Sequence, residues 1–186
     1  MKKKLDILLS LIFLILLSFP MLLIALMIFI SSRGPIIFWS KRVGKNGKLF
    51  WMPKFRSMRV DTPQVATHLM NNPEEFLFPF GRFLRRTSLD ELPQLFSIFK
   101  GDMSFVGPRP ALFNQKDLIE LRNKKGLGVL LPGLTGWAQV NGRDDLSIPE
   151  KVSFEVEYLH RKSLLFDIKI LWMTFLKVIK RKGVSH

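Results

Sequence analysis

The chain has 186 residues, which suits one compact domain with an appendage and hardly two full domains. Hydrophobic residues make up 47% of it, which argues against disorder. The formal net charge of +14 indicates an anionic partner: nucleic acid, an anionic lipid surface or a phosphorylated substrate. The sequence has no cysteine, which excludes disulfides, thiolate catalysis and cysteine-ligated zinc, and its three histidines lack metal-ligand spacing.

An almost unbroken apolar stretch runs from Ile7 to Ile30, with lysines before it and Arg33 after it. It is too long for a secretory signal peptide, whose apolar region spans about 7–15 residues, and no suitable cleavage site follows. As a helix of about 24 residues it would extend ~36 Å, enough to cross a bilayer.

Two features of this stretch leave a straight crossing and a re-entrant helix equally open. Pro20 removes a backbone hydrogen bond in mid-stretch, and Ser18 can satisfy an exposed carbonyl there. Basic residues lie on both sides of the stretch, and the positive-inside rule would hold both ends in the cytoplasm. A broken helix that enters and leaves by one face accommodates both features, but an ordinary kinked span also tolerates proline.

The rest of the chain combines a hairpin pattern with helical patterns. Two aromatic and β-branched runs flank Asn46-Gly47, which predicts a β-hairpin. Residues 131–143 form a turn-rich connection. Helical patterns cover residues 75–86, 89–100, 111–123, 149–161 and 166–182. The first of these combines phenylalanine with arginine, and the last has an apolar stripe with Trp172 opposite lysines; each fits either a membrane interface or a core with solvated cations.

Two adjacent acids, Asp90 and Glu91, lie in an otherwise basic segment. Pro93 suits the first turn of a helix, so a helix start is predicted near Ser88. In a purely structural interpretation Ser88 and Glu91 form a capping box, and Asp90 is an acid at a positive helix end. In a functional interpretation the same helix end binds phosphate and keeps a carboxylate ionised that attacks phosphorus or holds Mg²⁺.

Two further runs contain candidate binding residues. Arg109 stands between two prolines, and a guanidinium held rigidly suits bidentate phosphate recognition, although a solvated arginine on a rigid loop fits as well. The glycines of residues 131–143 allow close backbone approach. Side chains there that could meet a base, sugar or phosphate are Trp137, Gln139, Asn141 and Arg143.

Taken together, these runs resemble the bacterial sugar transferase family, the monotopic phosphoglycosyl transferases. The size is similar to that of minimal members such as the transferase that starts protein N-glycosylation in campylobacters. The resemblance extends from the apolar stretch almost to the C-terminus. It is carried by Lys54-Phe55-Arg56-Ser57-Met58, Ser88-Leu89-Asp90-Glu91-Leu92-Pro93-Gln94, Lys100-Gly101-Asp102-Met103-Ser104, Gly107-Pro108-Arg109-Pro110 and the run from Pro132 to Arg143.

The resemblance implies an activity. The family transfers a phosphosugar from a UDP-sugar to polyprenyl (undecaprenyl) phosphate and releases UMP, the first membrane step of glycoconjugate biosynthesis. The residue matching Asp90 would be the nucleophile of a ping-pong reaction with a covalent phosphosugar intermediate, and would also hold Mg²⁺. Glu91 would be the partner acid of this dyad. Substrate phosphate-binding candidates are Arg85, Arg109, Arg143 and Lys54.

The resemblance also implies a re-entrant membrane helix, which the family breaks at a Ser-Pro pair. Here Phe19 precedes Pro20 and the serine lies one place earlier, at Ser18, and we expect the proline to break the helix all the same. An α-rich α+β monotopic membrane protein is therefore predicted, with a re-entrant helix over 1–33, a catalytic domain over 34–186, a small β-hairpin and several interfacial amphipathic helices.

The expected setting is the cytoplasmic face of the bacterial inner membrane. The expected partners are the lipid bilayer, a UDP-sugar and polyprenyl phosphate, and a homodimer is compatible with the sequence. Two other classes of protein fit part of the sequence. The first is a membrane-anchored scaffold, which would not need the two acids. The second is a nucleic-acid binder, which would explain the net charge; the apolar N-terminus and the lack of a nucleic-acid-binding motif argue against it.

Overall fold

The computed structural model describes residues 2–62, 73–142 and 145–180, and within these ranges the chain is rich in α-helix with two small sheets. The helices are α1 (Lys2–Leu16), α2 (Ser18–Ser31), α3 (Pro79–Thr87), α4 (Gln94–Lys100), α5 (Lys116–Lys124), α6 (Trp137–Asn141), α7 (Ile148–Arg161) and α8 (Leu164–Lys180). The strands are β1 (Ile37–Val43), β2 (Leu49–Phe55), β3 (Ser104–Val106), β4 (Ala111–Leu112) and β5 (Gly133–Thr135). Short 3₁₀ turns occupy Lys45–Gly47, Pro73–Phe76, Leu89–Glu91 and Leu127–Val129.

The first two helices form a bent pair. They meet at Leu17 with a bend of 61°. Among the described residues no single helix is long and apolar enough to cross a bilayer, whereas α1 and α2 together reach that length and composition. Pro20 has no N–H for the preceding turn, and the Ser18 hydroxyl donates to the carbonyl oxygen of Ile15 at 2.7 Å. The bend thus lies beside Ser18 and Pro20.

Both ends of the bent pair are tied to the remainder of the chain. At the start of α1, Lys2 Nζ lies 2.6 Å from Asp167 Oδ2 and 2.8 Å from the Tyr158 hydroxyl oxygen. After the end of α2, the buried Arg56 guanidinium donates to the carbonyl oxygens of Ser32 and Arg33, at 2.8 and 2.7 Å. Both ends of the bent pair therefore contact the same part of the chain, residues 34–180.

Helix α1 also contributes to the main hydrophobic core. It packs against α4, and Leu9, Leu14 and Leu17 contact the buried cluster around Ile98. The side of α1 that packs here is covered, whereas residues such as Leu8, Ile12 and Ile15 on its other side are exposed.

Exposed apolar side chains are concentrated on α1, α2 and α8. Phe19 and Ile30 are exposed on the bent pair, and Trp172 and Phe175 are exposed on α8. Ile170 on the other side of α8 is fully buried. The interpretation in which the stripe with Trp172 faces a core is therefore wrong within the described part of the chain, since that stripe faces outward. Apolar surface of this kind marks an interaction site.

Strands β1 and β2 form the predicted antiparallel hairpin. Asn46 and Gly47 in its turn have φ angles of 54° and 75°, which asparagine and glycine adopt more readily than other residues. Strand β4 pairs with β1 and completes a three-stranded sheet in the order β2-β1-β4. The helix predicted over 111–123 therefore starts later than expected, because Ala111 and Leu112 belong to β4 and α5 begins only at Lys116.

Strands β3 and β5 pair in parallel and bring two of the sequence motifs together. A Cβ atom on Gly133 would lie 2.1 Å from the backbone nitrogen of Gly107, so glycine is required for this close approach. Gly107 and Gly133 thus allow the backbones of the two segments to lie in direct contact. The prediction of a turn-rich connection over 131–143 is wrong in part, since β5 and α6 form there; the pairing partner of β5 is distant in sequence and local pattern does not reveal it.

Candidate active site

The segment with the two acids follows α3 through a sharp change of direction. Ser88 has a φ of 57° and is left-handed, and Leu89–Glu91 forms a 3₁₀ turn. The Ser88 side chain makes no capping hydrogen bond, so the predicted capping box with Glu91 is absent. Helix α4 begins only at Gln94, and Asp90 therefore does not lie in the first turn of an α-helix, contrary to the prediction.

The Glu91 carboxylate lies between two cations. Its Oε1 atom lies 2.8 Å from Lys54 Nζ and 3.3 Å from Arg109 Nη2. The Lys54 side chain is 15% exposed and that of Arg109 is 38% exposed, so Arg109 is the cation that can reach a ligand more easily. The fold thus joins residues from β2, the 3₁₀ turn and the loop after β3 that are far apart in the chain.

Asp90 is buried, with 8% of its surface exposed. Burial raises its pKa above the ordinary aspartate value, and the neighbouring Glu91 carboxylate acts in the same direction. Lys54, followed by Arg85 and Arg109, opposes this rise. Since Asp90 does not lie at an α-helix N-terminus, the prediction that such a helix end favours its charged form is wrong. The groups that favour its charged form are cationic side chains, and burial outweighs them.

The hairpin supplies two cations from one face of the sheet. The register pairs Arg42 with Phe50, and alternation along β2 places Phe50 and Lys54 on the same side. Burial lowers the pKa of Lys54, and burial together with Arg109 lowers the pKa of Arg42 to about 10. The sequence interpretation did not assign Arg42 to the site. A two-residue turn at Asn46-Gly47 would instead pair Arg42 with Trp51 and place it on the face opposite Lys54, so the local pattern does not identify it.

The backbone of Arg109 is held by a buried ion pair. Arg122 Nη2 donates to the carbonyl oxygen of Arg109 at 3.0 Å. The same guanidinium binds both carboxylate oxygens of Glu155, with Nε to Oε2 at 2.8 Å and Nη2 to Oε1 at 2.5 Å. Arg122 and Glu155 belong to α5 and α7, and no pattern in the sequence connects them with the site.

The other candidate residues have different positions. Arg85 lies in the last turn of α3, with Nη1 3.5 Å from the sulfur of Met58, and it lowers the pKa of Asp90. Trp137 donates from Nε1 to Glu157 at 2.7 Å and packs against Phe166, so it is part of the packing between helices. Arg143 lies outside the described residues.

The donor groups fit Mg²⁺ only in combination with a substrate. Among the residues that the structure describes, no group of three or more histidines, aspartates and glutamates could hold a metal ion. Mg²⁺ is commonly bound by one or two carboxylates together with substrate phosphates, and Asp90 beside Glu91 offers such a set. The residues therefore fit a metal shared with a diphosphate and do not fit a cage made by the protein alone.

A pocket of about 370 Å³ adjoins this cluster. Glu91 and Arg109 belong to its walls, and most of the remaining walls are apolar. The lining residues are Phe13, Leu17, Arg86, Ser88, Glu91, Leu92, Leu95, Phe105, Arg109, Leu134, Thr135, Gln139, Val140, Leu171, Thr174, Phe175, Lys177 and Val178.

The acid pair Asp90 and Glu91, with cations around it, defines a site suited to phosphate chemistry. Comparison with known proteins identifies the family. The profile of the bacterial sugar transferase family matches residues 1–181. The chain belongs to this family.

Three relatives illustrate the similarity. The chain is 43% identical over 196 residues to the UDP-glucose:undecaprenyl-phosphate glucose-1-phosphate transferase of Escherichia coli strain K12, covering 98% of this chain and 41% of that protein. It is 37% identical over 201 residues to the undecaprenyl-phosphate galactose phosphotransferase of Salmonella typhimurium, again covering 98% and 41%. It is 34% identical over 203 residues to the exopolysaccharide production protein ExoY of Sinorhizobium fredii, covering 98% and 87%. The chain thus spans about two fifths of the first two relatives and most of the third.

Proposed function

We propose that this chain transfers a phosphosugar from a UDP-sugar to polyprenyl phosphate and releases UMP. The observation that carries the proposal is the buried Asp90 next to Glu91, with Lys54, Arg85 and Arg109 acting on its charge. The names of two relatives describe transfer of a sugar phosphate to undecaprenyl phosphate, which supports the same reaction here.

The reaction proceeds in two displacements at one phosphorus atom. An oxygen of Asp90 attacks the phosphorus that bears the sugar, and the bond from that phosphorus to the bridging oxygen breaks, so that the electron pair leaves with UMP. An oxygen of polyprenyl phosphate then attacks the same phosphorus. The bond to Asp90 breaks, which regenerates the carboxylate and yields the polyprenyl diphosphate sugar.

The raised pKa of Asp90 suits this role, because a more basic carboxylate oxygen is the stronger nucleophile once it is ionised. Arg109 and Arg85 bind the negative charge of the diphosphate. Glu91 positions Lys54 and Arg109 and is the partner acid of Asp90. Mg²⁺ held by Asp90 and the substrate phosphates would neutralise part of the diphosphate charge.

The proposal includes a membrane setting, the cytoplasmic face of the bacterial inner membrane. The lipid acceptor carries its phosphate at a membrane surface, and the UDP-sugar is soluble. The exposed apolar sides of α1, α2 and α8 suit contact with lipid. Because Lys2 and Arg56 tie both ends of the bent pair to one domain, the pair suits a re-entrant element.

The test is UMP release by the purified full chain in detergent or nanodiscs, with Mg²⁺, undecaprenyl phosphate and a panel of UDP-sugars. We expect release with at least one sugar, and a mass increase of one phosphosugar on Asp90 when the acceptor is omitted. Asp90→Asn should abolish both signals, whereas Asp117→Asn, at an exposed aspartate on α5, should retain them. Full turnover by Asp90→Asn would remove Asp90 from the nucleophile's role.

A further inference from the structure

The apolar pocket beside the acid pair has a shape and chemistry that the reaction at Asp90 does not by itself explain. We propose that it binds the phosphate-proximal prenyl units of the lipid acceptor, an assignment that rests on the transferase function proposed above. Its volume of about 370 Å³ lies within the range of pockets that hold small ligands, about 300–1,000 Å³.

The pocket connects the acid pair with the exposed apolar surface of the fold. Glu91 and Arg109 line it, and both act on the charge of Asp90. Phe13 of α1 and Phe175 of α8 line it too, and both side chains are exposed on helices that present apolar residues outward. A ligand can therefore place an anionic end near Asp90 while its apolar chain runs towards the outer surface of α1 and α8.

The charges on the walls fit a lipid phosphate. Among the described lining residues, Arg86, Arg109 and Lys177 are cationic and Glu91 is acidic. The remaining walls consist mostly of leucine, valine and phenylalanine side chains, which offer no hydrogen bonds. The uracil and ribose of the donor would lose hydrogen bonds to water there, which is unfavourable, whereas a prenyl chain has none to lose. The pocket thus favours the acceptor over the donor.

Gln139 gives a second indication that the pocket receives a ligand. Both polar atoms of its side-chain amide are buried, and within the described part of the chain neither has a hydrogen-bond partner. Unpaired buried amides are uncommon in folded proteins, since they forfeit their hydrogen bonds to water. Gln139 belongs to the pocket wall, so a ligand there can supply the partner that this amide lacks.

The test compares two substitutions on α8 that differ in whether they reach the pocket. Phe175 and Ile168 are each 55% exposed, and only Phe175 lines the pocket. In detergent micelles with undecaprenyl phosphate, Phe175→Asp should raise the apparent KM for the acceptor roughly tenfold or more, because a prenyl chain would have to pack against a charge. Ile168→Asp should leave that KM within about twofold of the wild type, since it adds the same charge outside the pocket.

A donor half-reaction separates this proposal from the proposed function. UMP formed in a single turnover without acceptor should be unchanged in both variants, which also shows that they are folded. Val178→Trp, which fills the pocket from the same helix, should raise the acceptor KM as well, with Ile168→Trp as its control.

Three outcomes would overturn the assignment. Equal acceptor KM values for Phe175→Asp and Ile168→Asp, with the donor half-reaction intact, would place the prenyl chain elsewhere. Loss of the donor half-reaction in Phe175→Asp and Val178→Trp, with a normal acceptor KM in residual turnover, would assign the pocket to the nucleotide sugar. Absence of the half-reaction in the wild type would overturn the proposed function, and the acceptor pocket with it.

Discussion

Replacing Arg122 should reveal how a buried ion pair positions the exposed Arg109. The Glu155 side chain is 3% exposed and that of Arg122 is 14% exposed. Arg122→Ala leaves the Glu155 carboxylate buried without its cation, which should lower the free energy of unfolding by about 3–5 kcal/mol. A loss of about 1 kcal/mol lowers the Tm of a chain of this size by roughly 2–4 °C, so we expect a decrease of roughly 6–20 °C.

A double variant separates stability from positioning. Arg122→Met combined with Glu155→Met removes both buried charges, and such replacements are often neutral or stabilising by about 1–4 kcal/mol. The Tm should therefore return to that of the wild type. The carbonyl oxygen of Arg109 still lacks the donor that lies 3.0 Å away in the native chain. Because hydrogen bonds to charged groups contribute about 1.5–3 kcal/mol, kcat/KM for UMP release should stay roughly 10- to 100-fold low.

The assay combines thermal melting, followed by circular dichroism in detergent, with UMP release at varied UDP-sugar concentration. The single variant should lose stability and activity together. The double variant should regain stability alone. If its activity returned along with its Tm, the reasoning would be refuted, because Arg122 would then contribute to the fold without positioning Arg109.

Three further predictions concern charge and topology. Burial raises the pKa of Asp90 in the folded state. Its contribution to stability is therefore present below the unfolded pKa of about 3.9 and is lost as the pH rises through the folded pKa. Asp90→Asn should melt at a higher temperature than the wild type at neutral pH, and the two melting temperatures should converge below about pH 4. Lys54→Met removes the cation that most lowers the pKa of Asp90, so the acidic limb of the donor half-reaction should move to higher pH, and an unmoved limb would mean that it reports another group. Lys3→Cys and Arg33→Cys, in a chain without native cysteine, should both react with an impermeant thiol reagent from the cytoplasmic side, whereas labelling from opposite sides would indicate a spanning helix.

Local sequence pattern is sufficient to predict secondary-structure elements that depend on neighbouring residues alone. Asn46-Gly47 between two aromatic runs predicted the hairpin, because the turn needs left-handed residues there. Helical spacing predicted α7 to within a residue, and it predicted α8 from two residues after its start; the predicted end of α8 at Lys182 lies outside the described residues. Spacing and the family resemblance together indicate Asp90 and Glu91 as the catalytic acids, and these roles are predictions.

The surroundings of those acids depended on contacts between distant segments. Spacing suggested a capping box for Glu91, but its carboxylate binds Lys54 and Arg109, which only the folding of β2 and the loop after β3 bring near. The burial of Asp90 follows from the same packing and reverses the expected direction of its pKa shift.

By itself the sequence determined the hairpin, the helices other than α6 and the family, because periodicity, turn residues and long motifs are properties of the linear sequence. The tertiary structure decided which cations surround Asp90, that Arg122 and Glu155 hold Arg109, and that an apolar pocket opens beside Glu91. The physical reason is that charge, burial and cavity shape arise where separate segments meet, and a linear pattern contains no information on those distances.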